Sequence, residues 1–219
     1  MIRRARTYPI CVLSLGLMSC VPWTVRPIGG PREAPSGASA AASPSAYVNS
    51  IWTDRLLPEI LNSAVDARVL LNALAASPQE ALARYARSEA NGPAYFIVKG
   101  EGVVVSLDTR SRMGLALVDV APLDRRPDVS IQIGPVLRGT SLRDATGIVR
   151  FTDFVNQLQF ADAGNELNDR VRTTVLAAVD QATLKGRAVS FAGTLAAEPS
   201  AEPPLRELVP VKLMVGARR

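Results

Sequence analysis

Ile131-Gln-Ile-Gly-Pro-Val-Leu-Arg-Gly-Thr140-Ser-Leu-Arg-Asp-Ala145 starts with one periodicity and ends with another. Val129, Ile131 and Ile133 alternate with Ser130 and Gln132, which predicts a half-buried strand from Val129 to Val136. The period is gone by Gly139 to Gly147, where Thr140 or Ser141 can cap a single helical turn. A short apolar piece, Ile148 to Phe151, and a segment from Asp153 follow. A longer helix is then expected from about Asp162 to Val179. Leu167, Val171, Thr174, Val175 and Ala178 form its buried stripe; Asn165 and Arg172 point away, and Asn168 sits at the edge. The stretch is therefore a helical crossover between strands.

The strands it connects lie on either side of it. Tyr95 to Lys99 and Val103 to Leu107 make one long bent strand interrupted by Gly100-Glu101-Gly102, and Leu115 to Val120 makes a second. After Lys185-Gly186, Ala188 to Leu195 and Leu208 to Val215 return to the strand period, separated by a Pro/Glu/Ala loop. Three strands, a helical crossover and two strands is the element order of the OB-fold. The expected class is α+β: an OB-like five-stranded β-barrel with a helical crossover over residues 93–219, plus a small N-terminal helical subdomain over residues 47–92.

In that subdomain Trp52, Leu56, Leu57, Ile60, Leu61, Ala64 and Val65 recur at helical steps. Pro58 falls within them and predicts a kink or late start. Asp66 can cap a second helix. Ser77-Pro78-Gln79-Glu80 starts a third, which should stop by Asn91-Gly92.

The N-terminus has the layout of a bacterial lipoprotein signal over residues 1–20. Arg3, Arg4 and Arg6 precede an apolar core, Ile10 to Leu17, too short to span a bilayer, and Leu17-Met18-Ser19-Cys20 follows as a cleavage site. Cys20 is the expected lipidation site and membrane anchor, and Cys11, within the apolar core, is the chain's other cysteine. Residues 21–46, rich in Pro, Gly, Ala and Ser, read as a flexible tether. Losing residues 1–19 removes three arginines and lowers the formal charge from +5 to about +2. The pI of 9.7 thus overstates the basicity of the remaining chain, and aromatics at 5% give no stacking platform, so no nucleic acid is expected. The chain contains no histidine, which excludes His-based metal sites and Ser-His-Asp triads. No cofactor is expected.

Several segments together resemble one bacterial family: Val21-Pro-Trp-Thr-Val-Arg-Pro27 after the cleavage site, Tyr47-Val-Asn-Ser-Ile-Trp52, Val98-Lys-Gly-Glu-Gly-Val-Val-Val-Ser106, Ile131 to Thr140, Leu142-Arg-Asp-Ala145 and Phe151-Thr-Asp-Phe-Val-Asn-Gln157. These are similar to the predicted periplasmic lipoproteins called domain of unknown function 2291. The resemblance implies a helical subdomain beside an OB-like barrel and a gene neighbourhood with sugar ABC uptake systems. It supplies no catalytic residues.

The candidate ligand- or partner-binding residues are Arg138, Thr140, Arg143, Asp144, Asp153, Asn156 and Gln157. Arginine forks suit carboxylates, phosphates and sugar hydroxyls. Asp, Asn and Gln hydrogen-bond sugars, and Phe151, Phe154 and Phe160 can stack on them. One expectation is a non-enzymatic binding or accessory lipoprotein whose partner is a sugar or a sugar ABC transporter component. A second is a carboxylate-based hydrolase, such as a glycoside hydrolase, with Asp144 and Asp153 as acid and base. A third is a structural envelope lipoprotein, in which an Arg–Asp pair merely locks the crossover to the barrel. The central residues Arg138, Arg143, Asp144 and Asp153 are expected to converge.

Overall fold

Helix starts follow their caps. The computed structural model describes residues 43–88, 93–198 and 204–218. The signal segment, Cys20 and the tether up to residue 42 lie outside the described residues. Helix α1 (Pro44–Ile51) opens inside the segment read as tether; the Ser43 hydroxyl accepts from the Ala46 amide. The chain then widens into a π-helical turn, Trp52–Leu56, before α2 (Leu57–Ser63). Pro58 sits in the first turn of α2, and the wide turn ahead of it gives the ring room without a break. Strand β1 (Val65–Asp66) follows, and Asp66 caps α3 (Ala67–Ala76) by accepting from the amides of Arg68 and Val69. Ser77 caps α4 (Pro78–Tyr85). This helix stops short of Asn91-Gly92, because Arg87 and Tyr95 exchange both backbone hydrogen bonds at 2.7 Å and pull the chain into extended form. Residues 89–92 are outside the described residues.

Strand β2 (Tyr95–Asp108) is continuous rather than interrupted. Its first half pairs with β5 (Arg187–Ala196), its second half with β3 (Leu115–Val120). Gly102 stands at the changeover, opposite Val189 on one side and Val120 on the other. A Cβ there would lie 2.3 Å from the Asp119 carbonyl oxygen, so only glycine lets the strand switch partners at this distance.

Strand β4 (Val129–Gln132) ends four residues before the expected Val136. The Gln132 side chain takes over from the ladder. It accepts from the Arg138 amide at 2.7 Å and donates to the carbonyls of Arg138 and Glu207. Strand β6 (Leu205–Arg218) extends three residues beyond expectation at each end. The crossover holds the one-turn helix α5 (Ser141–Asp144) and α6 (Gln157–Thr174). Helix α6 starts five residues earlier than Asp162, since Asn156 accepts from the Gln159 amide at 2.9 Å and caps it there.

The strand order is β1-β2-β3-β4-β6-β5, with a further β2–β5 pairing. The pairings of β2 to β6 therefore close on themselves. Strand β1, two residues long and too short to show a period, adds a sixth member parallel to β2. Phe96, Val98, Phe191, Ile131, Leu195, Leu205 and Leu208 are buried in the sheet, and Leu56, Ile60 and Leu70 bring the helices into the same apolar cluster. Full burial of such a side chain contributes about 1.5–3 kcal/mol, which is why the helices seat on the sheet. Among the described residues, no helix is long and apolar enough to cross a membrane.

Candidate functional site

The central polar residues form a relay across the crossover. It begins at β5, where the buried Thr194 hydroxyl donates to Ser141 Oγ at 2.9 Å and Ser141 donates to the Thr194 carbonyl. These bonds seat α5 on the sheet. One turn on, Asp144 accepts from the Tyr95 phenol at 3.0 Å and from both arms of the Arg143 fork, at 2.6 and 3.1 Å. The Arg143 and Asp144 side chains are 12% and 20% exposed, so water screens the pair weakly. Arg143 also donates to the Phe160 carbonyl and lies 3.8 Å over the Phe160 ring. Burial, and the Asp144 charge beside it, raises the Tyr95 pKa; Thr140, 3.4 Å away, acts against this.

The relay continues through rings. Phe160 packs against Phe151 and Phe154, and Phe154 packs edge-on against Tyr47 at 5.0 Å. The Tyr47 phenol then donates to Asp153. Burial, and behind it the bond to Asp153, pushes the Tyr47 pKa up to about 12. The same bond, with help from the Arg150 amide and the Arg150 and Arg55 charges, lowers the Asp153 pKa.

The candidates thus separate. Thr140, Arg143 and Asp144 gather around Tyr95, whereas Asp153 binds Tyr47 at the far end of the aromatic row. The expected four-way convergence does not occur, because Phe154 and Phe160 lie between the two carboxylates. Arg138 is held by its backbone, while its exposed side chain lines, with Thr140, a cavity of about 190 Å³. Asn156 is the cap of α6, and Gln157 is the exposed first residue of that helix.

A larger concavity lies elsewhere. One face of β5 carries the half-buried Ala188 and Ser190 and the buried Ala192. Their partners across the ladders are longer: Lys99 and Lys212 flank Ala192, Glu101 and Met214 flank Ser190. Small residues between long ones leave a trough. One arm, of about 620 Å³, reaches Arg68 and Asp66; the other, of about 370 Å³, reaches Leu123 and Val103, and the arms share Glu101, Ala121 and Ser190. Both volumes lie in the range of ligand pockets, about 300–1,000 Å³. Among the described residues, Lys99, Lys212 and Glu101 are in no ion pair. Sequence reading missed this site. Its one signal is the run of small residues on a single phase of β5.

The loop that joins β3 to β4 carries Asp124 and Asp128 beside Arg125 and Arg126. Asp119 accepts from the Arg125 amide and Asp128 from the Val120 amide, and the buried Asp119 Oδ1 has no hydrogen-bond partner. Burial, with Asp119 and Asp124 nearby, raises the Asp128 pKa. Among the described residues, no group of three or more His, Cys, Asp or Glu could hold a metal ion.

The sequence pattern of the family described as predicted periplasmic lipoprotein (DUF2291) matches residues 10–214. The chain belongs to this family. The DUF2291 assignment makes it a periplasmic lipoprotein and leaves its molecular role open. No curated protein matches the chain. Among solved structures, this DUF2291 chain is similar to an OB-fold protein from Thermotoga maritima, at 24% identity and a TM-score of 0.64, over 80% of this chain and 98% of that one. At that identity the likeness concerns the fold, and it agrees with three strands, a crossover and two strands.

Proposed function

We propose that the protein is a non-enzymatic lipoprotein, an accessory to sugar ABC uptake, that binds a sugar or a transporter component in the trough over β5. The observation that carries this is the trough itself: lysines, a carboxylate and a hydroxyl that are in no ion pair among the described residues, beside the apolar Met214 and Leu123, at ligand-pocket volume. The link to sugar uptake rests on the family resemblance. The central residues fit a fastening role better, because Arg143, Asp144 and Asp153 satisfy one another or a tyrosine. Neither Asp144 nor Asp153 lines the trough, which weighs against the acid–base hydrolase. The same reading takes the closed strand ring as an OB-like barrel, the helices before it as a subdomain, and Cys20 as the membrane anchor.

The test is a thermal-shift screen of the mature lipoprotein in detergent against mono- and disaccharides. At least one sugar should raise Tm. Lys212→Ala and Ser190→Leu should abolish the shift, and Arg138→Ala should leave it. No shift with any sugar overturns the sugar reading, and a shift lost only with Arg138→Ala overturns the trough as its site.

A further inference from the structure

Phe151, Val155 and Leu158 are 53%, 61% and 71% exposed, and all three surround the first turn of α6. Val155 and Leu158 flank the cap residue Asn156, and Phe151 packs on Phe160 within that turn. The run Phe154-Val-Asn-Gln-Leu-Gln-Phe-Ala161 carries no formal charge, in a chain that is 21% charged. Single exposed apolar residues are ordinary; Val155 and Leu158 in one uncharged run, with Phe151 packed beside them, form a patch that wants a partner.

We infer that this turn is a membrane-contact face that dips into the lipid surface to which the chain is anchored. Two further observations point to lipid. The first is where the anchored chain enters the fold. Helix α1 starts at Pro44, and Tyr47 on its first turn both bonds Asp153 and packs on Phe154. The lipid-bearing end of the chain therefore joins the fold beside the patch. Residues 21–42 can span at most about 75 Å, so the anchor keeps the patch at high effective concentration near the bilayer, and a weak apolar contact suffices. The second is charge. Arg150 and Arg55 lie near enough to act on Asp153, and they offer cations to anionic headgroups at the rim of the patch. Asp162, one turn along α6 from Leu158, is half-buried and marks how deep the turn can go.

The inference rests on the lipid anchor at Cys20 and is independent of the trough. The mature chain from Cys20 has no other cysteine, so one introduced cysteine is a unique label. Leu158→Cys and, on β6, Met214→Cys are labelled with an environment-sensitive fluorophore. The full lipoprotein is placed in phosphatidylethanolamine/phosphatidylglycerol vesicles containing spin-labelled lipid. Quenching at position 158 should exceed that at 214 several-fold, and adding Val155→Asp should remove most of the excess. Equal quenching at both positions overturns the inference while the anchor stands. Quenching that follows protein density instead of spin-label content assigns the face to a second copy and overturns it too. A protein that fails to float with vesicles, its Cys20 thiol still reactive, overturns the anchor and the inference together.

Discussion

The Tyr47 phenol oxygen stands 2.7 Å from Asp153 Oδ2, across 106 residues of chain. This bond ties α1, the first described helix, to the turn that launches α6. Removing it with Tyr47→Phe should cost about 1 kcal/mol, the typical net worth of one such bond.

The pH dependence of that loss follows from both partners. The lowered Asp153 pKa contributes stability that is present above the ordinary value of 3.8 and lost as pH falls through the folded value. The raised Tyr47 pKa contributes stability present below 10.0 and lost as pH rises through about 12. Denaturant titrations of wild type and Tyr47→Phe should therefore differ by a constant amount between those limits. The gap should close on both sides.

Arginines 138 and 143, both candidates from sequence, should behave oppositely. Arg143→Ala strands the partly buried Asp144 and removes the stack on Phe160, at about 2–4 kcal/mol. Arg138→Ala removes an exposed side chain whose backbone does the holding, and should stay within about 0.5 kcal/mol. Urea midpoints at constant m decide between them; similar losses would contradict the fastening role.

The Ser141–Thr194 hydroxyl pair is buried on both sides. Thr194→Val alone should cost about 1–2 kcal/mol. Combined with Ser141→Ala it should cost less than the sum of the two single changes, because no hydroxyl is left seeking a partner. A double-mutant cycle reads the coupling; strict additivity would show that the hydroxyls are not paired.

Asp128 has a raised pKa, so its protonation favours the fold, and that gain is lost as pH rises from 3.8 through the folded value. Asp128→Asn keeps an acceptor for the Val120 amide without the charge. The variant should melt at or above wild type at pH 7, and the difference should shrink on acidification. A variant less stable at neutral pH would mean the carboxylate charge is used.

Much of this was legible in the chain. The caps Asp66 and Ser77 declare themselves locally, since a short side chain and its amide partners are close in sequence; the one-turn helix after Thr140 forms where expected but without a side-chain cap, because the Thr140 hydroxyl faces Tyr95 and the Ser141 hydroxyl bonds Thr194. The alternation in Val129 to Gln132 and in Ala188 to Leu195 declares the sheet. Two of the misplaced ends share a physical cause: a side chain, unseen by periodicity, does a backbone's work. Gln132 ends β4 by imitating a strand, and Asn156 starts α6 early by capping it. The candidate residues were a harder problem. A dense set of Arg, Asp, Asn and Gln looks alike whether it faces a ligand or itself. Only the aromatic row between Asp144 and Asp153 separates the two, and that row depends on packing among α1, the crossover and α6. The trough left almost no trace, because small residues on one phase of a strand also occur where nothing binds.

Closure of the strand pairings has a consequence for life on a membrane. A lipid anchor confines copies to two dimensions, where neighbours meet often and in similar orientation. An unpaired strand rim under those conditions is a template on which a second chain can add, and a third after it. Here every strand from β2 to β6 already has a neighbour on each side, and the extra strand is two residues long. Dense surface populations of this protein should therefore resist edge-to-edge polymerisation, leaving encounters between copies short and reversible.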